Sequence, residues 1–213
     1  MSGGVHSSGS RAFDVVVIAA SYGGPAAVGE VCAALPADFP ATVLVVQHRP
    51  PTIDTFLATA LGRRAALPVT LARGGQRVGD SGILVVPARH SGTIGVDGLL
   101  DLVPSASHRL ADPLMASVAQ RHGPRALGVV LTGRLDDGAA GVRALKRAGG
   151  RSVVQEPATA VAGDMPSAAL ATGCVDLVMP LDRIAATLVA LTMAPGAADL
   201  FRVPPSPWAT VAA

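Results

Sequence analysis

The stretch Val15-Val16-Val17-Ile18-Ala19-Ala20-Ser21-Tyr22-Gly23-Gly24-Pro25 decides how the chain is organised. Six apolar residues, mostly β-branched and with no polar alternation, read as a strand buried on both faces, the kind that parallel sheets use. Gly-Gly-Pro then turns the chain and opens a helix, because proline fits the first helical turn. Beyond it Val28, Val31, Cys32 and Leu35 recur at i, i+3, i+4 and i+7, which puts one apolar stripe on that helix. If Pro25 is the first helical residue, Gly24 occupies the cap position and the Ser21 hydroxyl is not needed as a cap.

The same unit repeats outward from there. Short apolar runs at Thr42 to Gln47, Gly82 to Pro87, Ala126 to Leu131, Arg151 to Gln155 and Val175 to Met179 have the same form. Helical segments lie between them: Thr52 is placed to cap Ile53 to Leu61, Asp112-Pro113 opens a helix that Gly123 closes, Gly149 ends one that starts near Ala139, and Leu181 to Thr192 forms the last. Strands alternating with helices predict right-handed crossovers and a doubly wound, mostly parallel α/β sheet covered on both faces. One exception is an antiparallel hairpin, Thr93 to Val96 and Leu99 to Val103 around a two-residue Asp97-Gly98 turn. One domain over residues 13–193 is expected, with a disordered Gly/Ser-rich segment at 1–12 and a Pro/Ala-rich tail at 194–213.

Composition narrows the function classes. A hydrophobic share of 50% with 15% charged residues fits a packed core, and 17 basic against 15 acidic residues leave a net charge of +2, too small a field to argue for nucleic acid or an anionic membrane. Cys32 and Cys174 stand alone in apolar surroundings, without the spacing of a zinc or redox motif. No secretory signal opens the chain, and the apolar run Ile184 to Met193 is too short to span a bilayer, so a soluble cytoplasmic protein is expected.

In an open α/β sheet, ligands bind beyond the carboxyl ends of the strands, so the polar residues just after each run are the candidates. The first run delivers Ser21 with Gly23-Gly24, the second His48, Gly82 to Pro87 delivers Arg89-His90, and the run ending at Leu131 delivers Asp136 and Asp137. A hydroxyl, an imidazole and a carboxylate are what nucleophilic acyl transfer requires: serine needs a base, and the imidazolium formed needs a carboxylate. The Gly-Gly amides suit an oxyanion hole and equally a phosphate, but G-x-G-x-x-G is absent. His90 competes with His48 as the base, and Asp136 and Asp137 also suit plain capping of the helix near Gly138. A metal held by His48, His90 and the aspartates lacks a dense ligand motif.

Four motifs in order, Ile18 to Pro25, Val46-Gln47-His48-Arg49-Pro50, Leu131 to Gly141, and Gln155 followed by Met165-Pro166 and Gly173 to Leu181, resemble the catalytic domain of the chemotaxis protein-glutamate methylesterase (CheB) family across Val15 to Ile184. The resemblance implies that Ser21 is the nucleophile, His48 the base and Asp137 the orienting carboxylate. It also implies removal of methyl groups from glutamate methyl esters, and deamidation of glutamines, on the helical signalling domains of chemoreceptors. It implies no metal or cofactor, and only about a dozen residues precede the first strand, so no receiver domain in cis is expected.

Departures from the family pattern cluster near the expected site. The family usually has Thr at Tyr22, Met-Gly at Arg134-Leu135, Arg-Pro-Ser-Val-Asp at His108 to Asp112, Phe-Gly at Gly163-Asp164 and an acidic residue at Pro157. These changes predict altered substrate choice, with a site made narrower and more positive by Tyr22, Arg134 and Leu135. Two rival readings stay open: a serine hydrolase for another ester or amide, and a silent binding module of the same fold.

Overall fold

The structure, a computed structural model, describes residues 12–51, 54–194 and 196–197. The expected segment at 1–12, all but its last residue, the cap at Thr52 and most of the tail at 194–213 lie outside the described residues.

Seven parallel strands form the sheet: β1 (Val15–Ala20), β2 (Thr42–Gln47), β3 (Val69–Leu71), β4 (Gly82–Val85), β7 (Ala126–Val130), β8 (Arg151–Gln155) and β9 (Leu177–Met179). Their order is β3-β4-β2-β1-β7-β8-β9. From β1 the chain passes to β2 and then to the edge strand β3, returns to β4 between them, and crosses back to β7 to wind the other way through β8 and β9. The topological switch therefore falls between β1 and β7, which is where this architecture opens a crevice.

Alternation along each strand fills two cores. Val16, Ile18 and Ala20 face one cluster with Val28, Val31 and Cys32 of α1 (Gly24–Ala33), Leu57 and Leu61 of α2 (Asp54–Gly62), and Ile184 and Leu188 of α6 (Leu181–Met193). Val15, Val17 and Ala19 face the other with Leu114, Met115 and Val118 of α3 (Ala111–His122), Val142 and Leu145 of α4 (Ala139–Arg147), and Met165 and Ala169 of α5 (Asp164–Leu170). Burial pushes the Cys32 thiol up to about 12, which makes it a packing group. No helix among the described residues is long and apolar enough to cross a membrane.

Three local readings are refined. The hairpin is present as β5 (His90–Ile94) and β6 (Leu100–Pro104), a separate two-stranded sheet. Its turn is longer than two residues: Gly95 N–H donates to Leu99 O at 2.9 Å, and Gly98 N–H donates to Gly95 O at 3.0 Å. Only Gly98 needs a positive φ, 79°, whereas the two-residue turn would demand one at Asp97 as well. Strand β3 and helix α5 were not expected, because three half-exposed edge residues and a seven-residue helix are too short to show a period. The cap of α1 is Gly23 at φ 78°, one residue earlier than read, and no side chain caps it, so the Ser21 hydroxyl is indeed spare.

Candidate active site

The three central strand ends bring the candidates to one level. Ala20 pairs with Gln47 on one side, and Ala19 with Val130 on the other. The ladders run one step further: His48 N–H donates to Ala20 O and Ser21 N–H to Thr132 O, both at 3.0 Å. Ser21, His48 and the segment after β7 therefore face one another across the switch point.

His48 is joined to Asp137 by a 2.8 Å hydrogen bond from Nε2 to Oδ2, and not to Asp136. Asp137 is 1% exposed, and what keeps a carboxylate there is the first turn of α3. Leu110 N–H (3.0 Å) and Ala111 N–H (2.9 Å) donate to Oδ2, while Ala111 and Asp112 N–H groups reach Oδ1 at 3.1 Å. Three successive amides at the positive end of a helix satisfy the anion that water would otherwise solvate. The capping role foreseen for Asp137 at α4 is thus corrected: Gly138, which has no side chain of its own to give, sits at the cap position of α4, and Asp137 closes the start of α3 instead.

The reciprocal bond is made by Asp112, whose Oδ1 accepts from Gly138 N–H at 3.0 Å and Gly141 N–H at 2.8 Å. Its Oδ2 is buried with no partner, and burial pushes its carboxyl above the usual range. The two helices are interlocked, each closed by a carboxylate from the other's segment. Asp136 goes elsewhere: it pairs with Arg109 and lies 3.3 Å from His108, and the Arg109 hydrogen bond holds its carboxyl below the usual range.

With Nε2–H directed at Asp137, Nδ1 carries the imidazole lone pair, and it has no partner among the described residues. Ser21 is half-buried and its hydroxyl makes no hydrogen bond among the described residues, so the structure brings it beside His48 without joining them. Catalytic hydrogen bonds are often this loose before a substrate is bound. The amides of Tyr22 and Gly23, immediately after Ser21, find no acceptor among the described residues and are available to a ligand. His90 begins β5 and bonds Ala88 O through Nδ1 at 2.9 Å, and it pairs with no carboxylate among the described residues. No group of three His, Cys, Asp or Glu among the described residues is arranged to hold a metal.

Three further side chains build the site. Gln47, 4% exposed, donates from Nε2 to the carbonyl oxygens of Ser21 (3.0 Å) and His48 (2.6 Å), tying the two segments together. Gln155 Oε1 accepts from Thr132 N–H at 2.8 Å, and Thr132 Oγ1 donates to Tyr22 O at 2.9 Å. Gly133 closes the contact: a Cβ there would lie 2.8 Å from Ser21 Cβ and would overlap Met165 Sδ. Gln47 and Gln155 were visible in sequence only as motif letters, since a strand-end amide carries no pattern of its own. Asp112 was read as a helix opener, and its partner 26 residues away has no sequence signature.

The model of the family described as CheB methylesterase matches residues 16–188, which contain every site residue just described. The chain belongs to the CheB methylesterase family. It is 39% identical over 191 residues to the protein-glutamate methylesterase/protein-glutamine glutaminase of Moorella thermoacetica, a match covering 86% of this chain and 45% of that protein. The second such protein of Anaeromyxobacter dehalogenans is 40% identical, over 84% of this chain and 53% of its own length. The chain thus spans about half the length of the curated relatives it matches. Its fold superposes on the CheB methylesterase catalytic domain of Thermotoga maritima with a TM-score of 0.78 and 28% identity, over 84% of this chain and 99% of that domain. Within the family fold, Tyr22 and Arg134 are in contact, the Arg134 guanidinium lying 4.7 Å from the Tyr22 ring centroid.

Proposed function

We propose that the chain is a serine carboxylic-ester hydrolase that removes methyl groups from glutamate methyl esters, and deamidates glutamines, on chemoreceptor-type signalling proteins of the cytoplasm. The observation that carries this is the His48–Asp137 bond at the level of Ser21, on the carboxyl edge of the sheet at its switch point. The names of the relatives support a protein glutamate methyl ester and a protein glutamine as the reacting groups, and the chemoreceptor-type protein that carries them is what the family resemblance implies.

In this reading Ser21 Oγ gives its proton to His48 Nδ1 and attacks the ester carbonyl, with the imidazolium stabilised through Nε2–H by Asp137. The oxyanion is received by the Tyr22 and Gly23 amides. Collapse of the tetrahedral intermediate breaks the C–O bond, and methanol leaves with the proton held by His48. Water, deprotonated by the same imidazole, then attacks the acyl-enzyme and returns Ser21 and a free glutamate. For a glutamine the leaving group is ammonia.

Ser21→Ala is expected to abolish methanol release from a methylated receptor fragment and labelling by a fluorophosphonate. Labelling that persists in the folded variant would move the nucleophile elsewhere, and a parent chain that is neither labelled nor active would favour the silent binding module.

A further inference from the structure

Two departures from the family pattern, Tyr22 and Arg134, turn out to be one feature. Tyr22 follows Ser21 directly, and Arg134 follows Gly133, whose missing Cβ lets that backbone pack on Ser21. The two side chains therefore come from segments on opposite sides of the switch-point crevice, each one residue away from Ser21 or from the Gly133 backbone packed on it, and they meet guanidinium over ring. Stacking of this kind fixes the plane of the guanidinium while leaving its N–H edge open.

Charge accounting around the crevice shows what is unmatched. Asp137 is spent on His48 and the α3 amides, and Asp136 on Arg109 and His108. Arg134 has no carboxylate or other acceptor among the described residues, and it is exposed. Its neighbour Leu135 adopts φ 66°, a conformation that a branched side chain adopts only when its surroundings hold it there, and its side chain is 59% exposed. An exposed leucine on a strained backbone, next to an oriented and unpaired cation, describes a rim built to receive something anionic with apolar flanks.

We infer that Arg134, aligned by Tyr22, recognises a carboxylate beside the scissile ester, so that the preferred substrate is a methyl ester flanked by an acidic side chain. This rests on the esterase reading above and adds the chemistry of the flanking position. A guanidinium fork matches a carboxylate in two parallel hydrogen bonds, which a methionine at the same place cannot supply.

The test uses two peptides with one glutamate methyl ester each, identical except for Glu or Gln at the adjacent position. The parent is expected to favour the Glu peptide by about tenfold in kcat/KM, the size of one charge-assisted contact, carried by KM and reduced by salt. Arg134→Met should bring the ratio to within about twofold, and Arg134→Glu should reverse it toward a peptide with Lys at that position, a gain that mere loss of structure cannot produce. A parent that hydrolyses both peptides equally, or a ratio that survives in Arg134→Met, overturns the inference and leaves the esterase reading standing. A parent that hydrolyses neither overturns both.

Discussion

Asp137 and Asp112 each lie buried against the first turn of the helix to which the other's segment leads, yet their second oxygens end differently. Asp137 Oδ2 continues to His48 Nε2, whereas Asp112 Oδ2 meets nothing. Both carboxylates serve the fold by closing a helix start. The difference is an outlet: one anion is connected through an imidazole to the crevice, the other is sealed in. Burial and helix capping therefore do not distinguish the two carboxylates, and the residue on the far side does.

The comparison breaks first at Asp137. Asp137→Asn keeps an acceptor for the α3 amides but presents an amide to His48, so ester hydrolysis should fall by about 10³ to 10⁴ with the fold intact. The matching Asp112→Asn should stay within a few-fold of the parent. Equal losses in the two would mean that capping, not the outlet, sustains activity.

Gln47 sharpens the point, because it too is buried with one bonded and one bare polar atom, Oε1. Its bonded end reaches Ser21 and His48. Gln47→Leu should lower kcat about tenfold, the order of one or two lost hydrogen bonds, with a smaller change in KM. A loss confined to KM would contradict a positioning role.

A third expectation concerns pH. The folded Asp112 carboxyl titrates above its unfolded value of about 3.9, so the folded state holds the proton through a window where the unfolded state has lost it, and stability falls as pH rises through that window. Asp112→Asn removes this slope. Urea unfolding from pH 4 to 8 should therefore show the variant gaining on the parent as pH rises, and a difference that is flat across the range would refute the assignment.

The smallest effect is expected at Asp136. Its carboxyl is held low by Arg109, so its contribution is present above the ordinary carboxylate range and lost on acidification, but solvent screens an exposed pair. Asp136→Asn should leave the thermal midpoint at neutral pH unchanged within the error of a scan, in contrast to Asp112→Ala, which strips two α4 amides of their acceptor and should cost about 2 kcal/mol.

Much of this was legible before the structure. The unbroken apolar runs gave β1, β2, β7 and β8 almost to the residue, because a strand buried on both faces has nothing polar to blur its ends. Ser21 and His48 directly after β1 and β2, and the Asp136-Asp137 pair in the segment after β7, were selected as candidates by the fold class, while the choice of Asp137 came from the family resemblance alone. What stayed hidden was set by tertiary contacts. Asp112 bonds amides 26 and 29 residues away and Gln47 reaches Ser21 across 26, the Tyr22–Arg134 contact joins segments 112 positions apart, and β3 and α5 are held by the elements around them.

The interlocked helix starts also order events in time. Asp137 is tied to Leu110, Ala111 and Asp112 over 25 to 27 residues of chain, but to His48 over 89. Closing the longer loop costs about 1 kcal/mol more in chain entropy, and it requires β2, β1 and β7 to be laid side by side first. The carboxylate can thus be docked on α3 by a nearly local fold, while the imidazole arrives only when the centre of the sheet has closed. In a refolding experiment followed by far-ultraviolet circular dichroism and by capture of a fluorophosphonate, helical signal should recover ahead of labelling.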